Sequence, residues 1–201
     1  VTHPKIAVVG GSGFYSWRPG RVLEMDTPYG MPSGPVVISE LGGEAVAFLA
    51  RHGSRHEIPP HAVNYRANLW ALRSVGVEKV LATCACGSLQ AHIGPGDLVV
   101  ADQLVDRTWG RADTYVSGPV VEHVSFADPY CPSLRHLLVA QARQCWPGGL
   151  HERGTVVVVQ GPRFSTRAES AFYSRCGFEV INMTQYPEAY LARELGLCYA
   201  A

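Results

Sequence analysis

Several turns in this chain follow apolar runs and carry residue types suited to holding an anion. The run Lys5 to Val9 closes on Gly10-Gly11-Ser12-Gly13. Glycines let the backbone turn sharply and present N–H groups, and Ser12 adds a hydroxyl, so this loop could bind phosphate oxygens. It is neither G-x-G-x-x-G nor a Walker loop with its lysine, and a purely structural turn fits it as well. Arg51-His52-Gly53 ends the apolar run Ala45 to Ala50. Arginine offers a planar fork for phosphate and histidine a further hydrogen bond, while a solvated arginine beside a helix-capping histidine is the alternative. Thr83-Cys84-Ala85-Cys86-Gly87-Ser88 ends the run from Lys79, and its small residues would let a ligand reach backbone donors. Cys84-x-Cys86 lacks the two intervening residues of a redox pair, and packing is the expected role of both thiols.

Two further segments have the character of a base site. Gln160-Gly161-Pro162-Arg163-Phe164-Ser165-Thr166 follows the run Thr155 to Val159, and Phe164 could stack on a flat base or pack in the core. Asn182-Met183-Thr184 ends the next apolar run and offers a soft surface and a hydroxyl. In the alternative, Thr184 caps the following helix, Met183 fills core and Glu188 favours the positive helix end. His52, His56 and His61 share a proline-rich loop, where no cysteine and only Glu57 among carboxylates accompanies them, so no metal is expected.

These turns need rigid elements behind them. Lys5–Val9, 79–83, 97–106, 155–159 and 178–182 read as strands, and Pro35–Ser39 with Ala45–Ala50 reads as a hairpin across Gly42-Gly43. Helices are expected over His61–Val75 after Pro59-Pro60, Pro132–Cys145, Arg167–Cys176 and Pro187–Leu195. The last apolar run, Leu197–Ala201, reads as a central strand. Strands alternating with helices predict a single α/β domain with a mixed, largely buried central sheet, and ligands bind beyond the carboxyl ends of such strands.

Composition narrows the function classes. The chain of 201 residues is 47% hydrophobic and 17% charged, which suits one compact domain. Seventeen basic residues balance seventeen acidic ones. With no basic run, a nucleic-acid or membrane-surface partner is not expected. The six cysteines show no zinc or disulfide-framework spacing and read as reduced, buried thiols. No apolar stretch reaches the roughly 18 residues of a membrane span, and the expectation is a cytoplasmic protein.

Taken in order, ten segments resemble 5'-methylthioadenosine phosphorylases. They are Val9-Gly10-Gly11-Ser12-Gly13, Asp26-Thr27-Pro28-Tyr29-Gly30, Ala50-Arg51-His52-Gly53, Val63-Asn64-Tyr65-Arg66-Ala67-Asn68, Cys86-Gly87-Ser88-Leu89, Pro95-Gly96-Asp97, Asp102-Gln103, Asp106-Arg107-Thr108, Gly161-Pro162-Arg163-Phe164 and Asn182-Met183-Thr184. The resemblance runs from about Lys5 to Ala201.

The resemblance implies a nucleoside phosphorylase-like fold and an enzyme in which inorganic phosphate, a co-substrate, attacks the ribose anomeric carbon as the purine leaves. No cofactor and no covalent enzyme intermediate are implied. It places Ser12, Arg51, His52, Cys84, Ala85 and Thr184 at phosphate-binding positions and Phe164, Ile181 and Met183 around the nucleoside. Cys84 stands where the family commonly carries threonine, and a thiol donates less well than a hydroxyl. His123 matches a residue that reaches a neighbouring subunit's 5'-substituent pocket, which implies a homotrimer. Family chains continue past the strand matching Leu197–Ala201 into a base-binding loop and a closing helix, so the base-protonating aspartate is expected beyond Ala201. Two other functions stay open: a 6-oxopurine nucleoside or methylthioinosine phosphorylase, and a non-catalytic nucleoside-binding homologue. A hydrolase fits less well with three phosphate-type segments.

Overall fold

The computed structural model describes residues 3–201. The element order is β1 (Ile6–Gly10), β2 (Arg21–Leu23), β3 (Val36–Leu41), β4 (Glu44–Ala50), a 3-10 turn Pro60–Ala62, α1 (Tyr65–Ser74), β5 (Lys79–Ala82), β6 (Gly87–Ser88), β7 (Leu98–Val99), β8 (Gln103–Arg107), α2 (Pro132–Cys145), β9 (Leu150–His151), β10 (Thr155–Val159), α3 (Arg167–Arg175), β11 (Val180–Asn182), α4 (Gln185–Glu194) and β12 (Cys198–Ala200). A six-stranded sheet runs β12-β5-β1-β4-β3-β2, and a four-stranded sheet runs β6-β11-β10-β8. The short strands β7 and β9 form a third pair. This is the expected single α/β domain, its mixed central sheet extended by a second one.

In the large sheet, β12, β5, β1 and β4 are mutually parallel, whereas β3 and β2 are antiparallel additions. The parallel strands are apolar because both their faces are covered. Ala7, Val9, Leu49 and Val80 from them join Leu69 and Leu72 of α1 and Leu191 of α4 in one core cluster. Gly42 and Gly43, both at positive φ, make the β3–β4 hairpin turn.

Local chemistry sets most boundaries. Helix α1 starts later than expected, because the Asn64 side chain accepts the Ala67 N–H and defines the cap, leaving Pro60–Ala62 as a separate turn. Helix α3 begins with a full capping box, in which Thr166 accepts from the Glu169 N–H and the Glu169 carboxylate accepts from the Thr166 N–H.

Three expectations are corrected. The strand read over 97–106 is two strands in different sheets, because the backbone between them changes partners: Val100 donates to His151, Ala101 to Ala201 and Asp102 to Gly154. The last strand, β12, is the edge of the described six-stranded sheet, since β5 is its only strand neighbour there. The cysteines are not all reduced and buried. Cys131 and Cys198 form a disulfide, with their Cα atoms 5.2 Å apart, although 67 residues separate them in sequence. The Cys131 N–H donates to the Tyr199 carbonyl, which lays the entry of α2 against β12 and brings the two thiols together. Of the free cysteines, Cys86, Cys145 and Cys176 are exposed and Cys84 is half-buried.

Candidate functional site

The carboxyl ends of β1, β4, β5, β10 and β11 open onto one cavity of 670 Å³. Nine residues singled out in the sequence line it together: Ser12, Arg51, His52, Cys84, Ala85, Phe164, Ile181, Met183 and Thr184. Each sits in or just beyond a strand end, where side chains leave the sheet for the ligand crevice.

Arg51 is the electrostatic centre of this cavity. Its side chain is fully buried, which rules out a solvated arginine. Nε and Nη2 donate to the two carboxylate oxygens of Glu188 at 2.6 and 2.8 Å, and Nη1 donates to the Thr83 carbonyl at 2.9 Å. Burial alone would lower the Arg51 pKa, yet the Glu188 carboxylate holds it well above the ordinary value, so the cation persists. The glycine loop serves this cation first. A Cβ on Gly11 would lie 2.2 Å from the Thr83 carbonyl oxygen and 2.9 Å from Arg51 Nη1, so only glycine lets the guanidinium pass. The Gly11 N–H is itself spent on Thr83 Oγ1, at 2.9 Å.

His52 is buried beside Arg51, and its Nδ1 lies 2.8 Å from the Ile58 carbonyl. A carbonyl only accepts, so Nδ1 carries a proton and Nε2 is left with its lone pair. Burial, more than the neighbouring Arg51 charge, pushes the His52 pKa down and favours this neutral form.

Thr184 is the N-cap of α4 but makes no side-chain cap bond. Its buried hydroxyl meets Cys84 Sγ at 3.5 Å instead, inside the cavity. Cys84 and Cys86 lie in the loop between β5 and β6, not on a strand, and both line the cavity. Phe164, which also lines the cavity, is 85% exposed, so it is not a core residue. Met183 packs under the Gly161 turn, where a Cβ would lie 2.6 Å from its sulfur. His123 is exposed and does not line the cavity of its own chain.

Sequence reasoning missed the two groups that hold Arg51. Glu188 is 137 residues away and looks like a helix-end carboxylate, while the Thr83 carbonyl carries no side-chain signal. The cavity also takes in His56, Glu57, Pro59 and Pro60 from the loop after Arg51. Among the described residues no group of three or more His, Cys, Asp or Glu side chains is placed to hold a metal ion.

The phosphorylase superfamily model matches residues 5–201. The chain belongs to the phosphorylase superfamily. It is 56% identical over 198 residues to the S-methyl-5'-thioadenosine phosphorylase of Mycolicibacterium smegmatis, covering 98% of this chain and 74% of that protein. The corresponding Pyrococcus horikoshii phosphorylase is 52% identical, with 98% and 76% covered. A purine nucleoside phosphorylase of Streptomyces coelicolor is also 52% identical, over 98% of this chain and 73% of that protein. Among solved phosphorylase structures, methylthioadenosine phosphorylase from Schistosoma mansoni in complex with adenine superposes with a TM-score of 0.94 at 41% identity, covering 98% of this chain and 79% of that one.

Proposed function

We propose that this protein is a pentosyltransferase that phosphorolyses 5'-methylthioadenosine to adenine and 5-methylthioribose 1-phosphate. The observation that carries the reading is a buried, ion-paired arginine and an exposed aromatic ring on one cavity, in a chain 50–56% identical to several methylthioadenosine phosphorylases. Phosphate would sit on Arg51, Ser12, Cys84, the Ala85 N–H and Thr184, and as hydrogen phosphate its O–H would donate to the Nε2 lone pair of His52. The purine would stack near Phe164 and Ile181, with Met183 under the ribose. As phosphate attacks the anomeric carbon, the bond to the purine breaks and its electrons go to the base, which takes up a proton. The sugar carries oxocarbenium-like charge at that moment, so the site works by positioning the dianion against it.

No cofactor is required by this chemistry. A homotrimer fits the exposed position of His123, which would serve a neighbouring subunit's 5'-substituent pocket. A cytoplasmic location fits relatives that are metabolic enzymes, and no described helix is long and apolar enough to cross a membrane.

A second reading, phosphorolysis of 6-oxopurine nucleosides, is favoured by the Streptomyces coelicolor relative, whose name is purine nucleoside phosphorylase. Initial rates with methylthioadenosine and with inosine at saturating phosphate separate the two. A kcat/KM at least tenfold higher for methylthioadenosine is expected; the reverse preference would replace the main reading with the second.

A further inference from the structure

Arg51 cannot choose its own orientation in this site. Its side chain leaves the end of β4 into a fully buried position, where three elements meet it: the Thr83 carbonyl after β5, Glu188 on α4 and, behind Glu188, Tyr199 on β12. The Tyr199 hydroxyl donates to Glu188 Oε1 at 2.9 Å, and Tyr199 is itself buried and stacked on Tyr130. Glu188 is buried too, and its carboxylate accepts two N–H groups of the guanidinium in a bidentate pair.

Counting donors shows what this pairing leaves. A guanidinium has five N–H groups. Glu188 takes one from Nε and one from Nη2, and Thr83 takes one from Nη1. One N–H on Nη1 and one on Nη2 remain, and Arg51 lines the cavity. We infer that Glu188, braced by Tyr199, is a positioning residue for phosphate: it fixes the guanidinium plane and leaves one N–H of each terminal nitrogen for the anion. The inference rests on the reading above that Arg51 binds phosphate.

A carboxylate is needed for this role. Glutamine keeps the shape, but its amide offers one acceptor oxygen and one NH₂ group, and that NH₂ would face a guanidinium N–H, donor against donor. The bidentate lock would then be lost, and Arg51 would sample orientations that point away from phosphate. Removing the Tyr199 hydroxyl loosens the same lock more gently, because both carboxylate oxygens stay in place.

The experiment compares Glu188→Gln, Tyr199→Phe and Arg51→Ala with the parent protein, measuring kcat and both Michaelis constants, with melting temperature as a folding control. The inference expects the phosphate KM to rise about tenfold or more in Glu188→Gln. It expects a rise of about two- to fivefold in Tyr199→Phe, on the scale of one neutral hydrogen bond. The methylthioadenosine KM should change less than twofold in both. Should Glu188→Gln fail to fold, Tyr199→Phe carries the test alone. Lower melting temperatures with a parental phosphate KM in the folded variants would overturn the inference and leave Glu188 as a structural counter-ion. A parental phosphate KM in Arg51→Ala would instead overturn the assignment of Arg51 beneath it.

Discussion

Replacing Cys84 by serine should tighten phosphate binding, and the size of the effect follows from the geometry. Cys84 Sγ stands 3.5 Å from Thr184 Oγ1 on the cavity wall that also carries Arg51. A thiol is a weak donor, whereas a hydroxyl donating to an anion contributes about 1.5–3 kcal/mol. Part of that gain is offset before phosphate binds, because the introduced hydroxyl would pair with Thr184 in a neutral hydrogen bond of about 0.5–1.5 kcal/mol. The net expectation for Cys84→Ser is about 1 kcal/mol in favour of the phosphate complex, or a phosphate KM lower by about fivefold. Initial rates across a phosphate series at saturating methylthioadenosine measure it, with the methylthioadenosine KM as the internal control. An unchanged or higher phosphate KM in a folded Cys84→Ser protein would refute the claim that this side chain faces the anion.

Phe164→Ala removes a ring that is 85% exposed, so melting temperature should barely move, while the nucleoside KM rises about 5- to 150-fold, the equivalent of about 1–3 kcal/mol for a base–aromatic stack; an unchanged KM would take Phe164 out of the base site. Gly11→Ala should abolish phosphate-dependent cleavage or folding, because the new Cβ meets the Thr83 carbonyl oxygen at 2.2 Å; a fully active variant would show that the loop can shift to admit it. His52 has a folded-state pKa below its unfolded value, so the unfolded chain binds the extra proton first. Its contribution to stability is present above about pH 6.5 and is lost as pH falls through the folded pKa. His52→Gln should therefore flatten the fall in melting temperature between about pH 7 and pH 5; an unaltered slope would assign that loss to other groups.

What the sequence revealed, and what it hid, divides along a physical line. Apolar runs closed by Gly10, Arg51, Thr83, Gln160 and Asn182 located β1, β4, β5, β10 and β11, and the segments at their carboxyl ends carry the nine sequence-predicted residues that line the cavity. Residues 132–145 and 155–159 were legible to the residue, since proline starts the first and an unbroken β-branched run makes the second. The short strands Arg21–Leu23, Gly87–Ser88 and Leu150–His151 carry too few residues to show a period, and only pairing partners define them. Long-range pairings were equally silent. Nothing near Glu188 announces Arg51, nothing near Cys131 announces Cys198, and the split after Val99 depends on which backbone lies alongside. Thr184 shows the reverse case: its position suits a helix cap, but the hydroxyl faces Cys84 because the cavity opens on that side.

The central claim is that phosphate, not water, takes the sugar. The most direct measurement is to incubate the protein with methylthioadenosine, with and without inorganic phosphate, and to follow adenine together with the phosphorus spectrum of the sugar product. The account predicts adenine only when phosphate is present, matched mole for mole by 5-methylthioribose 1-phosphate. Adenine released equally well without phosphate, leaving free 5-methylthioribose, would contradict it.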